Sequence, residues 1–220
     1  TTTADSDGQT LYEIELNDTF LTTINSINIS KKLKIKKFIF SSSSAIFGDF
    51  KRKISEFSSP ARPISNYGSM KLSSESYIYA NYKNFDKLLI IRFPNVVGGN
   101  MTHGLLYDLI KKLKKNNKKI NILGNGSQKK PYLHVSNLVS YMYSLYKKNL
   151  NSKISVFNIG PSDNGITVKE IVNKFIKVLK VKNIDVIYQK KIEGWKGDVV
   201  KYSYNTNLIK KTLNINVPSS

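Results

Sequence analysis

Lys87-Leu88-Leu89-Ile90-Ile91-Arg92-Phe93 is a strand-length run that is nearly all apolar, as strands buried on both faces of a parallel sheet are. On its N-terminal side, residues 67–82 read as a helix, and residues 60–65 before them as a loop. On its C-terminal side, Gly98-Gly99-Asn100 breaks the chain and residues 103–113 read as another helix. Working outward, residues 36–40 predict a short strand that ends in Ser41-Ser42-Ser43-Ser44. Ahead of it, Leu11, Ile14, Leu16, Phe20, Leu21, Ile24, Ile27 and Ile29 recur at helical spacing. In the other direction come a strand at 119–123 closed by the turn Gly124-Asn125-Gly126, a helix near 137–146 and a strand at 156–160. Thr167 with Glu170 three residues later has the spacing of a capping box. A strand at 185–189 and a small helix at 205–213 complete the order. Strands separated by helical stretches predict βαβ units and a mostly parallel sheet, an α/β fold. No internal repeat and no long linker interrupts it.

Composition narrows the chemistry. The 220 residues are 40% hydrophobic and 23% charged, enough for a sizeable core. There is no cysteine, which excludes disulfides, thiolate metal sites and cysteine nucleophiles. His103 and His134 are the only histidines, which excludes a three-histidine metal centre. No apolar run approaches the roughly 18 residues of a membrane span, and no signal-peptide pattern opens the chain, so a soluble cytoplasmic protein with no membrane partner is expected. The formal net charge is +20, yet of 35 cationic residues only Arg52, Arg62 and Arg92 are arginines. Nucleic-acid readers lean on arginine for bidentate contacts. The lysine excess, beside abundant Asn and Ile, reads as a compositional bias that solvates the surface, and no nucleic-acid partner is expected.

Tyr67 and Lys71 stand four residues apart at the start of a predicted helix, so their side chains share a face. Ser43 lies at the end of a predicted buried strand, the edge where open α/β sheets place their sites. A tyrosine with an ordinary value near 10 is a poor base at neutral pH. A lysine ammonium beside it favours the phenolate, and a serine hydroxyl can orient a reacting hydroxyl. With 13 tyrosines and 32 lysines in the chain, a lone Tyr-x-x-x-Lys is expected by chance. The ordered context is what raises it.

That context is Phe38-Ile39-Phe40-Ser41-Ser42-Ser43-Ser44-Ala45-Ile46-Phe47-Gly48, then Pro63-Ile64-Ser65-Asn66-Tyr67-Gly68-Ser69-Met70-Lys71, then Arg92-Phe93-Pro94-Asn95-Val96-Val97-Gly98. Asn17, Leu123-Gly124-Asn125-Gly126-Ser127-Gln128, Tyr132-Leu133-His134-Val135 and Gly197-Asp198-Val199 add to it. In this order the motifs resemble those of extended short-chain dehydrogenase/reductases, in the NAD-dependent nucleotide-sugar epimerase/dehydratase branch, UDP-glucose 4-epimerases among them. The resemblance spans nearly the whole chain. It implies a Rossmann-like doubly wound parallel sheet with a smaller C-terminal α/β substrate-binding part. Residues 1–98 would then be what remains of the NAD-binding domain. Residues 99–220 would be mainly the nucleotide-sugar-binding part, with some segments returning to the sheet.

The same resemblance implies roles for particular residues. Ser43, Tyr67 and Lys71 would be the catalytic set. Tyr67 would be the base, Lys71 would also hold the nicotinamide ribose, and Ser43 would orient the substrate hydroxyl. Ser41, Ser42, Phe93 and Pro94 would border the NAD, and Asn95 would reach the sugar nucleotide. Thr102, His103, Gln128, Lys130 and Tyr132 would line the nucleotide-sugar pocket. A homodimer is implied for the intact enzyme.

Three departures qualify the likeness. Family members open with a strand and a Gly-x-x-Gly-x-x-Gly turn that cradles the dinucleotide pyrophosphate; this sequence shows none, so about the first third of the parent protein, with several strands, is expected to be missing. Dehydratases carry an Asp-Glu pair just after the catalytic Ser or Thr, where Ser44 and Ala45 stand here, which favours an epimerase. Family arginines near positions 130 and 195 are replaced by Lys130 and Trp195, and lysine lacks the bidentate fork. The expected activity is NAD-dependent epimerisation of a nucleotide-diphosphate sugar, a UDP-hexose, through a keto intermediate. The alternatives are a nucleotide-sugar reductase of the same family and an inactive truncated fragment without a complete cofactor site. A basic polyanion-binding module rests on charge alone and is disfavoured by the three arginines.

Overall fold

In a computed structural model that describes residues 11–220, the organising element is the all-apolar strand. β1 (Lys37–Ser43) and β2 (Lys87–Phe93) pair in parallel, and β2 pairs in parallel with β7 (Ile154–Asn158), giving the order β1-β2-β7. Side chains alternate across a strand, and β2 shows why it needs apolar residues on both faces. Leu89 and Ile91 join Phe157, Ile159, Leu138, Leu145 and Ile209 in one buried cluster. Leu88 and Ile90 join Phe40, Ile27, Ile78 and Phe85 in the other.

Helices supply the covers. α1 is continuous through three stretches: α-helical Tyr12–Glu15, π-helical Leu16–Leu21 and α-helical Thr22–Lys32. α2 is Asn66–Asn81, and Ile27 of α1 and Ile78 of α2 lie in the Leu88–Ile90 cluster. On the opposite face sit α4 (Val135–Lys147), through Leu138 and Leu145, and α6 (Asn207–Leu213), through Ile209. The result is a layered α/β/α arrangement.

A second unit of structure lies beside it in the C-terminal half. α3 (Leu105–Lys115) precedes β4 (Lys119–Ile122), which pairs in parallel with β9 (Asp185–Tyr188). Leu109, Ile120 and Ile122 pack there with Val168, Ile171 and Val172 of α5 (Val168–Val178). The capping box predicted at Thr167 and Glu170 is formed, with both reciprocal bonds. Short strands stitch the two units: β3 (Asn95–Val97) pairs in parallel with β6 (Tyr132–His134), and β5 (Lys129–Lys130) pairs antiparallel with β8 (Ile166–Thr167).

Sequence reading differs from this in identifiable places. The serine run was expected to end the first strand, but Ser41, Ser42 and Ser43 are strand residues held in parallel register with Ile91, Arg92 and Phe93. The helix expected from residue 103 begins at Leu105, leaving Thr102 and His103 ahead of it. Four two- or three-residue strands were not expected, because their pairing partners are remote in sequence. Among the described residues no helix is long and apolar enough to cross a membrane.

Candidate active site

The C-terminal end of β1 brings the three chemical residues together. Ser43 closes the strand and caps the short 3₁₀ helix Ser44–Phe47, its hydroxyl accepting the Ala45 amide at 3.2 Å. Ser65 caps α2 by accepting the Gly68 amide, and this start presents Tyr67 toward the strand end. Gly68 is required there: a Cβ would stand 2.4 Å from the Ala45 carbonyl oxygen. The Ser43 hydroxyl is hydrogen-bonded to the Tyr67 phenol. One helical turn on, Lys71 is 2% exposed; its ammonium donates to the Ser41 carbonyl at 2.8 Å and stands 5.6 Å from the centre of the Tyr67 ring.

Burial sets the electrostatics. It pushes the Tyr67 phenol up to about 12, against the Ser43 hydrogen bond, which favours the phenolate; the Glu15 charge raises it further. Burial also pulls the Lys71 ammonium down to about 8, against the negative charges of Glu15 and Glu75. A lysine poised this way can give or share a proton near neutral pH far more readily than an exposed one. Tyr67 needs additional positive charge beside it before it can act as a base.

Three residues of this site were missed in the sequence. Glu15 is fully buried on α1 where the π-helical stretch begins, and its carboxylate accepts the Thr19 hydroxyl at 3.0 Å. π-helical turns often occur at functional positions, and this one changes the helix phase. Asn17, the residue matched by motif, is therefore exposed and Glu15 faces inward. Glu75 completes a Tyr67, Lys71, Glu75 series at i, i+4 and i+8, a spacing that could have flagged it. Tyr202 is buried and hydrogen-bonded to Ser44, close enough to Tyr67, Tyr132 and Asp198 to feel their charges. No local signal marks Tyr202.

The expected nucleotide-sugar residues divide. Asn95 and Tyr132 are brought together as register partners of β3 and β6, the Asn95 amide donating to the Pro131 carbonyl at 3.5 Å. Burial, with the charge of Asp198, holds the Tyr132 phenol up at about 12. Lys130 forms an ion pair with Asp198, so its charge is already partnered. Gln128 is buried in the Gly124-Asn125-Gly126 turn, accepting the Gly126 amide and donating to the Leu123 carbonyl, each at 3.1 Å. Those bonds build the turn around Gln128. Thr102 and His103 are mutually bonded at 3.1 Å in a surface segment before α3. Phe93 is the register partner of Ser43, with Pro94 next in the chain, and Ser41, beside Ser42, supplies the carbonyl that accepts Lys71.

Residues 6–160 match the NAD dependent epimerase/dehydratase family. The chain belongs to that family. It is 29% identical over 197 residues to a putative UDP-glucose 4-epimerase of Methanocaldococcus jannaschii, covering 84% of this chain and 59% of that protein. It is 24% identical over 170 residues to human dTDP-D-glucose 4,6-dehydratase, covering 77% of this chain and 47% of that protein. The chain thus spans about half the length of the curated relatives it matches. Among solved structures, a UDP-galactose 4-epimerase superposes with a TM-score of 0.81 at 25% identity, over 93% of this chain and 65% of that one. MoeE5, solved with UDP-glucuronic acid and NAD, superposes with a TM-score of 0.87 over the whole chain and 72% of its own, at 20% identity. The expected Rossmann-like α/β fold is therefore observed, in a family that is NAD-dependent and whose relatives include both epimerases and dehydratases.

Proposed function

We propose that the intact protein epimerises a nucleotide-diphosphate sugar with NAD, Ser43, Tyr67 and Lys71 being the catalytic set. The observation that carries this reading is the Ser43–Tyr67–Lys71 arrangement at the end of β1, followed by two positions with no acid or base. The site's residues suit NAD: Lys71 has three ammonium donors and gives one bond to Ser41, so it can also donate to ribose hydroxyls. Ser41, Ser42, Phe93 and Pro94 lie at the C-terminal ends of β1 and β2, beside the catalytic set. NAD held by these residues would supply reversible hydride acceptance at a sugar carbon.

The protein's own part is proton transfer and orientation. Ser43 donates to the sugar hydroxyl and holds it toward Tyr67. Tyr67, its ionisation favoured by the Lys71 ammonium, takes the hydroxyl proton as the ketone forms and gives it back as the alcohol is restored. Lys71 steadies the phenolate, and its lowered affinity for its own proton lets it pass charge toward Tyr67. Asn95 and Tyr132, adjacent across β3 and β6, provide an amide and a phenol for the nucleotide-sugar end.

Ser44 and Ala45 separate epimerisation from 4,6-dehydration. Elimination across C5–C6 needs one group to take the C5 proton and another to protonate the leaving hydroxyl. Ser44 is buried and bonded to Tyr202, and Ala45 has only a methyl group; neither can titrate near neutrality. The test incubates the intact enzyme with NAD and, separately, UDP-glucose and UDP-N-acetylglucosamine, and reads products by proton NMR. Epimer pairs without NAD consumption are expected. A 6-methyl signal from a deoxy-keto sugar would overturn the reading, and stoichiometric use of NADH would replace it with a reductase.

A further inference from the structure

We propose that Glu75 is a positioning residue of this site: its carboxylate locks the C-terminal ends of β1 and β2 to α2 and so sets where the Lys71 ammonium stands beside Tyr67. The geometry is a three-element clamp. One carboxylate oxygen, Oε1, accepts the Ser42 hydroxyl at 2.5 Å and Arg92 Nε at 2.9 Å, while Oε2 accepts Arg92 Nη2 at 2.6 Å. Ser42 and Arg92 are themselves register partners across β1 and β2. Ser42 lies between Ser41, whose carbonyl receives the Lys71 ammonium, and Ser43, whose hydroxyl bonds Tyr67. Holding Ser42 therefore holds both neighbours. On the helix side, Glu75 is one turn beyond Lys71, so the same anchor fixes the rotation of α2 about its axis.

The clamp is buried and charged, with Glu75 3% and Arg92 7% exposed. A buried ion pair is a weak source of stability, because both ions lose their hydration. What it supplies is a fixed geometry and a fixed charge. Arg92 has no slack: Nη1 donates to the Glu56 carbonyl at 3.1 Å, and its guanidinium carbon is 5.1 Å from the centre of the Phe47 ring. The Glu56 carboxylate in turn accepts the Asn158 amide of β7, extending the ties to the third strand.

The charge reaches the ammonium. Around Lys71 stand Tyr67 and Glu75 from its own helix, Glu15 from α1 and the Phe40 ring of β1 at 5.0 Å. Around Glu75 stand Arg92 from β2, Ser42 from β1 and Tyr79 from α2. Burial pulls the Lys71 proton off, and the negative charges of Glu15 and Glu75 keep it on. Neutralising Glu75 removes one of those two supports.

The experiment follows the Lys71 side chain itself by ¹³Cε NMR in the intact protein, its signal assigned by its absence in Lys71→Arg. Glu75→Gln should lower the pH midpoint of Lys71 by roughly one pH unit, the size of effect that a neighbouring charge has in a partly dry site. Glu75→Asp, which keeps the charge, should stay nearer the parent. Should Glu75→Gln not fold, Arg92→Met leaves the Glu75 charge without its cation and should move the midpoint up. An unmoved midpoint in the folded variant overturns the proposal. The role in turnover rests on the epimerase reading, and there the alkaline limb of kcat should move down by the same interval. A Lys71 shift in an enzyme that turns over no nucleotide sugar would uphold Glu75 and refute that reading instead.

Discussion

Tyr67 and Lys71 carry opposite burial effects, and both are measurable. In the folded chain the phenol is held up at about 12 and the ammonium down at about 8, so each is biased toward neutrality until a cation or a substrate enters. Tyr67→Phe keeps the ring and removes the proton carrier. Turnover by the intact enzyme should fall by about 10²- to 10⁴-fold, with KM for the nucleotide sugar changed far less, and near-parent turnover in steady-state assays would contradict the assignment. Lys71 also leaves a thermodynamic trace. Its folded value lies below its ordinary 10.5, so between about 8 and 10.5 the unfolded chain holds more protons. Stability gained from this residue therefore rises with pH across that window, and below it the cost of burying the cation is fully present. The difference corresponds to about 3 kcal/mol. Lys71→Met should raise Tm relative to the parent at pH 7, and calorimetry should show that advantage shrinking as pH approaches 10. A gap independent of pH would show that the buried cation costs nothing.

At the scale of elements, the helix starts decide what the site can be. α2 begins against the 3₁₀ turn with no room for a side chain at position 68, where a Cβ meets Ala45 O at 2.4 Å. Gly68→Ala should push the helix start from the strand end, costing about 1–3 kcal/mol and more turnover than that loss of stability explains. Thr167→Ala is the matching control. It removes the cap of α5, worth about 1 kcal/mol, in the other unit of the fold, and kcat should hold. Denaturation midpoints and kcat measured on both variants check the contrast. The Thr167–Glu170 box was readable because both partners lie within one helical turn. β3 and β6 were not, since Asn95 and Tyr132 become neighbours only after the chain returns across thirty-odd residues.

The whole molecule hangs on β2. Its two faces feed two separate cores, one with α1 and α2, the other with α4 and α6. Ile91→Ala deletes a fully buried side chain from the face covered by α4, and should cost about 2–5 kcal/mol, seen as a lower urea midpoint. A loss under 1 kcal/mol would mean that this face is not packed as described. The lysine excess has a structural use at this scale too. Lys87, at the start of β2, donates to the carbonyls of Leu145 and Tyr146 at 2.7 and 2.8 Å, fastening the strand to the C-terminal end of α4, where the helix dipole favours a cation.

By itself the sequence determined the α/β class, the strand at 87–93, the helices at 12–32 and 66–81 to within three residues, and that Tyr67 and Lys71 share a helix face. These are readable because apolar periodicity, capping and i, i+4 spacing act over a few residues. Tertiary structure decided the rest. Only packing of α1 on α2 turns Glu15 inward and leaves Asn17 in solvent, because a π-helical turn shifts the phase that sequence spacing assumes. That Lys130 pairs with Asp198, 68 residues away, is likewise set by the fold. Nothing in the sequence marks that the Gln128 amide is bonded inside the Gly124–Gly126 turn. Tyr202 reaches the site only because the chain folds back over Ser44. Charge pairing and burial are properties of neighbours in space, and for these residues the neighbours that matter are set by the fold.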